Sequence, residues 1–244
     1  QDRFQYMCMK KALFAILLCV LAIPVSAQQI TDGHYRKCLV IGAHPDDPES
    51  MSAGTMLALK DLGREVVSVY FTQGEGGIEG KSKQETAAIR HQEALDACSV
   101  MGVRAVFMSQ VDGESYVNEK AYAEMLDLVT REKPDIVITH WPIDSHRDHR
   151  NCSILVYDAW RRSGYSFDLY YAEVMTGLQT QNFTPDTWVD ITKYRDTKIE
   201  AYLKHVSQHT EDNVKTYHDP MEMMRGLEFR CKYAEAYVKQ HKGR

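Results

Sequence analysis

Short β-branched or aromatic runs alternate with longer stretches of helical periodicity through most of the chain. Period and run length predict strands over 38–43, 65–71, 105–108, 136–140, 169–174 and 188–191. Between them fall predicted helices over 50–62, 83–101, 119–133 and 149–162, each closed by a stop signal: Gly63, Gly102, Pro134 and Gly164. This alternation predicts βαβ units with right-handed crossovers. The expected fold class is therefore α/β: a Rossmann-like, mostly parallel sheet with helices on both faces, in a single domain. Leu39, Val40 and Ile41 are apolar without alternation, as a strand covered on both faces should be. The C-terminal stretches 192–208 and 222–240 predict two more helices joined by a polar loop. Ligands of open α/β sheets bind beyond the C-terminal strand ends, near a reversal of strand order. The loops after the strands at 38–43 and 136–140 are thus the first places to look for chemistry.

Composition adds a compartment and removes some partners. With 44% hydrophobic and 26% charged residues, the 244-residue chain has the balance of a soluble globular protein. Met9, Lys10 and Lys11 precede an apolar run over 12–23 and then Pro24-Val25-Ser26-Ala27. A basic start, a short apolar segment and a small-residue cleavage site predict a secretory signal peptide over 9–27, leaving a domain over 28–244. Residues 1–8 lie upstream of Met9, the better initiator, and stay out of the fold reasoning. The apolar run is too short for a spanning helix, and no later segment is apolar enough, so no membrane span is expected in the mature chain. No cysteine follows the cleavage site to carry a lipid, so an exported, soluble form, periplasmic or secreted, is expected. Loss of Arg3, Lys10, Lys11 and Asp2 takes the formal charge from −5 to −7. An acidic chain without a basic patch argues against nucleic acid as a partner. Cys38, Cys98, Cys152 and Cys231 remain, with no Cys-x-x-Cys spacing. That is neither a disulfide scaffold nor a zinc ribbon, although the compartment would allow one bridge. An oligomer is compatible with the sequence.

Ala43-His44-Pro45-Asp46-Asp47-Pro48-Glu49, directly after the first strand, crowds one imidazole and three carboxylates. Such carboxylates repel one another unless a cation, a base partner or a shared proton compensates them, so the segment reads first as a metal site. His140-Trp141-Pro142-Ile143-Asp144-Ser145-His146-Arg147-Asp148-His149 runs from the end of the fourth strand. A histidine from this loop would join His44 and Asp47 in a set of two imidazoles and one carboxylate. With water in the remaining position, that is a catalytic zinc pattern; iron, cobalt and nickel would also fit. A nucleotide site is disfavoured, because the turn after the first strand carries His44 and Pro45 where a dinucleotide needs glycines. Gly74-Glu75-Gly76-Gly77 lacks the remaining phosphate-loop residues and reads as a flexible pocket loop.

Ala43-His44-Pro45-Asp46-Asp47-x-Glu49 with His146-x-Asp148-His149 resembles the LmbE-like (PIG-L) family of metal-dependent N-deacetylases. Thr72-Gln73-Gly74-Glu75-Gly76, Ile89-Arg90-x-x-Glu93, His205-x-Ser207-Gln208 and Tyr233-Ala234-Glu235-Ala236-Tyr237 extend the resemblance through most of the mature chain. It implies that His44, Asp47 and His149 ligate Zn2+, with other divalent transition metals as alternatives. It further implies that Asp46 is the general base, that His146 stabilises the oxyanion with Asp148 orienting it through a hydrogen bond, and that Arg90 reaches the substrate. Arg147 stands where the family usually has proline. The implied reaction is hydrolysis of the N-acetyl group of an N-acetylated amino sugar or glycoconjugate of the N-acetylglucosamine type, releasing acetate. An amidase for a non-sugar or thiol-conjugate amide, and a metal-dependent carbohydrate-binding module without turnover, are the alternatives. Retention of Asp46 speaks against the module, which has no need of a base.

Each residue also has a plainer structural explanation. Asp46 and Asp47 could cap the following helix, and Glu49 could support the ligand loop or the helix start. His146 could be a surface histidine, and Arg90 could pair only with Glu93 or Glu75. His205 and His209 stand four apart, yet no Glu follows His205 as a metalloprotease motif requires, so a partly exposed histidine is the better reading there. Cys152 reads as a buried helix cysteine rather than a ligand.

Overall fold

The computed structural model describes residues 30–243; the leader predicted over 9–27 lies outside them. Five strands pair in parallel: β1 (Lys37–Gly42), β2 (Glu65–Thr72), β3 (Arg104–Gln110), β4 (Ile136–His140) and β5 (Asp168–Ala172). The helices between them are α1 (Asp47–Asp61), α2 (Lys83–Met101), α3 (Glu119–Glu132) and α4 (Arg147–Arg162). Then come β6 (Thr187–Asp190), α5 (Arg195–Tyr202), α6 (Thr210–Asn213), a π turn over Val214–His218, α7 (Asp219–Phe229) and β7 (Ala234–Lys239). The seven strands stand in the order β3-β2-β1-β4-β5-β7-β6. The chain moves outward from β1 to β3 and then returns to place β4 on the other side of β1. That reversal opens a crevice between the loops after β1 and β4, where the two motifs lie.

Local sequence accounts for most of the boundaries. Ser82 and Glu85 form a reciprocal capping box at the start of α2, which ends at Gly102 in the left-handed conformation. Asn118 caps α3 by accepting from the Ala121 N–H at 3.0 Å. Successive side chains of β1 enter opposite cores. Leu39 and Ile41 pack with Val67, Val137, Leu128 and Leu155 on the α3 and α4 side, and Val40 packs with Met56, Leu59, Ile138 and Tyr237 on the α1 side. The doubly covered central strand expected from the sequence is present.

The C-terminal expectation needs correction. Helix over 222–240 holds only for α7; Ala234–Lys239 is a strand, inserted antiparallel between β5 and β6. Alanine, glutamate and lysine there favour helix locally, but tertiary bonds decide otherwise. Glu235, almost wholly buried, accepts from the backbone N–H groups of Gly54 and Thr55 on α1 at 2.9 and 2.7 Å and pairs with Lys198 at 2.6 Å. Lys198, from α5, also donates to the Ser50 carbonyl at 2.7 Å and pairs with Glu222 at 2.9 Å. This network welds α1, α5, α7 and β7 together. The stretch 210–218, expected as loop, is α6 and the π turn. All four described cysteines are free thiols, so the one bridge the sequence allowed does not form among them.

Two expectations follow from this packing. A Cβ on Gly54 would stand 2.4 Å from Ile191 Cγ2, so Gly54→Ala should destabilise the fold by about 1–3 kcal/mol, read as a lower urea midpoint. His218 is buried against the edge of the Tyr202 ring without a hydrogen-bond partner. Burial first, then the charges of Lys198 and Arg195, lower its pKa from 6.5 to about 3. The folded chain keeps it neutral while the unfolded chain protonates it, so its contribution is fully present above pH 6.5 and is lost as pH falls toward 3. His218→Phe should lessen the loss of stability over this window, by up to about 1.4 kcal/mol per pH unit, when denaturation is compared at pH 7 and pH 4.5.

Candidate metal centre and active site

The first motif turns sharply from β1 into α1. A Cβ on Gly42 would meet Pro48 Cδ at 2.5 Å, so only glycine lets the helix start this close to the strand end. Asp46 takes the position before α1 with φ 122° and ψ −28°, and its side chain makes no capping bond. A non-glycine residue held there stores roughly 1–3 kcal/mol of strain. The capping explanation therefore fails for Asp46. Its carboxylate instead lines a cleft of about 400 Å³ between the loops, 3.3 Å from the Arg90 guanidinium. Burial raises its pKa to about 6, with Arg90 opposing the rise.

Asp47 and the histidines converge beside it. Asp47 Oδ2 lies 3.2 Å from His44 Nδ1 and 3.5 Å from His149 Nε2, and it accepts the His44 backbone N–H at 2.7 Å. Behind His149, the Asp144 carboxylate stands 3.2 Å from Nδ1, the carboxylate–histidine arrangement that orients metal-binding imidazoles. Among the described residues, three overlapping His/Asp groups bring their ligand atoms within 4.8 Å of one another: His44 with His146 and His149; His44 with Asp112, His146 and Asp148; and Asp47 with His140 and His149. His140 stacks on His149 with ring centroids 4.0 Å apart, but its Nε2 accepts the Ala43 N–H at 2.9 Å. That lone pair is spent, so His140 supports the group and does not ligate through Nε2. Of the predicted set, Asp47 Oδ2 lies within 3.5 Å of a ring nitrogen of both His44 and His149, although the three residues do not form one of these groups by themselves; two nitrogens with one carboxylate oxygen would fit zinc.

His146, half-buried, is the cap of α4: its Nδ1 accepts the Asp148 backbone N–H at 3.2 Å. In neutral His146 the proton then sits on Nε2. Burial, followed by the neighbouring His44 and His149, lowers its pKa and favours this neutral form. The expected hydrogen bond between Asp148 and His146 is present, with the Asp148 backbone N–H as donor and not its carboxylate as acceptor. Its carboxylate lies 3.3 Å from His44 Nε2 and accepts from the Gly113 N–H at 2.7 Å and from the Ser115 hydroxyl. The direction of chain entry into α4 sets this, because the cap residue faces the helix backbone and not its side chains.

Arg90 is buried in the cleft wall, and its guanidinium donates to the carbonyls of Pro45 and Gly74 besides pairing with Asp46. Neither Glu93 nor Glu75 is its partner; Glu93 instead accepts from the N–H and hydroxyl of Ser207 at 2.8 and 2.7 Å. Arg90 lines the cleft, where the expected reach to substrate places it, and it also pairs with Asp46. Glu49, fully buried, accepts from the Tyr70 hydroxyl at 2.6 Å and meets His205 Nε2 at 3.1 Å. His205 is thus wholly buried rather than partly exposed, and it joins no metal-ligand group with His209 among the described residues. Cys152 is a buried helix cysteine, as expected.

Sequence reasoning gave no role to His140, Asp144 and Gln208 within the motifs it quoted, and passed over Asp112, Met175 and Tyr202; all six line or support the cleft. Asp112 follows β3, so the strand-end rule could have raised it. Asp144 lies two residues before His146 within a motif already noted. Met175 and Tyr202 come from distant segments without a local signature.

A family profile described as PIG-L, GlcNAc-PI de-N-acetylase, matches residues 39–160. Diacetylchitobiose deacetylase of Thermococcus kodakarensis is 28% identical over 192 residues, covering 72% of each chain. Among solved structures, N,N'-diacetylchitobiose deacetylase from Pyrococcus horikoshii, complexed with its inhibitor, superposes with a TM-score of 0.77 at 24% identity, covering 95% of this chain and 92% of that one. GalB, the 4-carboxy-2-hydroxymuconate hydratase from Pseudomonas putida, superposes with a TM-score of 0.75 at 21% identity, covering 86% and 98%. Deacetylase and hydratase thus share this fold, which by itself selects neither reaction. The profile match spans both ligand loops and the strands that carry them, and the chain belongs to the PIG-L, or LmbE-like, family.

Proposed function

We propose that the protein is a zinc-dependent hydrolase that removes the acetyl group from an N-acetylated amino sugar or glycoconjugate of the N-acetylglucosamine type. The observation that carries this reading is Asp46: a carboxylate in a strained conformation, excused from capping, facing a cleft beside His44, Asp47 and His149. Family membership and the curated deacetylase relative support the reaction and the sugar class.

His44 Nδ1, Asp47 Oδ2 and His149 Nε2 would hold the metal, which when bound supplies a Lewis acid that polarises the amide carbonyl and acidifies water. Asp46 accepts the proton of the attacking water at a carboxylate oxygen and returns it to the leaving nitrogen. His146, with its proton on Nε2, donates to the oxyanion of the tetrahedral intermediate. Arg90 holds Asp46 at the angle the transfer needs, and Asp144 and Asp148 fix the rings of His149 and His44. Export is proposed from the leader pattern over 9–27, which makes a glycan outside the cytoplasm the favoured substrate.

Acetate release from N-acetylglucosamine mono- and disaccharides, glycoconjugates and non-sugar amides tests the reading. The metal-loaded parent should release acetate from sugars, chelator treatment should abolish it, and added zinc should restore it. Asp46→Asn should lower kcat by about 10²–10⁴-fold at unchanged zinc content. Acetate from non-sugar amides alone would move the protein to the amidase reading. Stoichiometric zinc with no acetate from any substrate would leave the binding module.

A further inference from the structure

Arg147 is half-exposed at the first position of α4, next to two groups of the cleft, and none of the proposed chemistry uses it. Its guanidinium donates to the carbonyl of Gly113. The N–H of the same glycine donates to the Asp148 carboxylate at 2.7 Å. One turn further along α4, the Asn151 amide donates to both the carbonyl and the hydroxyl of Ser115 at 3.0 Å. Residues 147, 148 and 151 of one helix therefore grip the loop after β3 at three places, two of them on a single glycine. The residue just before that glycine is Asp112, whose Oδ1 lies 3.1 Å from His44 Nε2.

We propose that Arg147 is a positioning residue: its bond to Gly113 fixes the loop after β3 so that Asp112 and Asp148 together orient the His44 ring for metal binding. One ring N–H is shared between two carboxylates, so a small shift of the loop changes how they divide it. Carboxylates behind a ligating imidazole set its orientation and basicity. Asp148 rides on a helix and is held by its own backbone. Asp112 rides on a loop, where its N–H donates to Glu75 at 3.0 Å and its Oδ2 accepts from the Gly76 N–H at 3.1 Å, and the grip of α4 adds a further hold one residue along. The part concerning metal rests on the proposed metal centre; the part concerning the loop does not.

The local backbone offers a clean variant. His146 has φ −81° and ψ 127°, the extended conformation that a following proline requires, and proline is well tolerated at the first helical position, where no N–H is needed. Arg147→Pro should therefore fold, with the thermal midpoint of the metal-free protein kept, while losing the side-chain bond to Gly113 and the 3.8 Å pairing of the guanidinium with the Asp148 carboxylate.

The experiment measures amide hydrogen exchange over 112–116 in metal-free protein, and zinc retention against a chromophoric chelator, in the parent, Arg147→Pro and Arg147→Lys. Expected in Arg147→Pro are faster exchange at Gly113 and zinc held about tenfold less tightly, as for loss of a group that orients a ligand, with Arg147→Lys recovering most of both. Unchanged exchange at Gly113 would overturn the proposal. So would zinc retained within about twofold of the parent, or a lowered metal-free midpoint with unchanged retention, which would mark a merely structural bond. Should the parent itself retain no zinc, the metal centre fails on its own account, and exchange at Gly113 alone decides whether Arg147 fixes the loop.

Discussion

The carboxylates of Asp47, Asp112 and Asp148 all lie within 3.3 Å of the His44 ring nitrogens, and Asp46 stands one residue from Asp47 in the same cleft. Anions gathered this closely at a mostly buried strand end repel one another and forgo hydration, so the surrounding structure must compensate them or come apart. Burial opposes a charge on His44, yet the facing carboxylates of Asp112, Asp148 and Asp47 raise its pKa well above 6.5. A positive charge is what this geometry requires. The proposed divalent cation between His44, Asp47 and His149 would meet the requirement on one side of the ring, while the backbone N–H groups of Gly76 and Gly113 and the Ser115 hydroxyl meet it on the other.

The fold holds this crowding in place from below. Asp46 and Asp47 sit where β1 passes into α1, so the position of α1 sets the position of both. Three buried polar ties hold that helix: Glu49 to Tyr70 and His205, the Ser50 carbonyl to Lys198, and the N–H groups of Gly54 and Thr55 to Glu235. Buried ionic groups contribute little net stability against an apolar core, but they tolerate only one arrangement of their partners. Here they set the register of the first turns of α1 against β2, β7 and α5. The motif residues Glu49, Glu93, His205, Ser207, Gln208 and Glu235, which give no chemistry of their own, are accounted for as this frame: Ser207 binds Glu93, and Gln208 donates to the Gly77 carbonyl at 3.2 Å.

Solved structures of the same fold include both a deacetylase and a hydratase, so the sheet alone selects no reaction, and the strand-end loops are where such differences can lie. Two of those loops hold the proposed metal donors and the proposed base. The loop after β3 and the segments around Met175 and Tyr202 shape the rest of the cleft. Asp46 is singled out within the group because its backbone strain has no structural benefit nearby.

By itself the sequence determined the parallel half of the sheet, because period, run length and glycine or proline stops are local properties and agreed with one another from residue 37 to 172. It also determined which residue types meet at the strand ends, because His44, Asp46, Asp47, His146 and His149 lie in two short motifs at the reversal of strand order. Only the tertiary structure decided the strand at Ala234–Lys239, where helix-forming residues are drawn into the sheet by the N–H groups of a distant helix. Only it made His146 a helix cap and left the Asp46 carboxylate free of capping, paired Arg90 with Asp46 rather than with a nearby glutamate, and turned the Asp148 carboxylate toward His44. These outcomes depend on directions and distances between segments far apart in the chain, and no local pattern of residues encodes them.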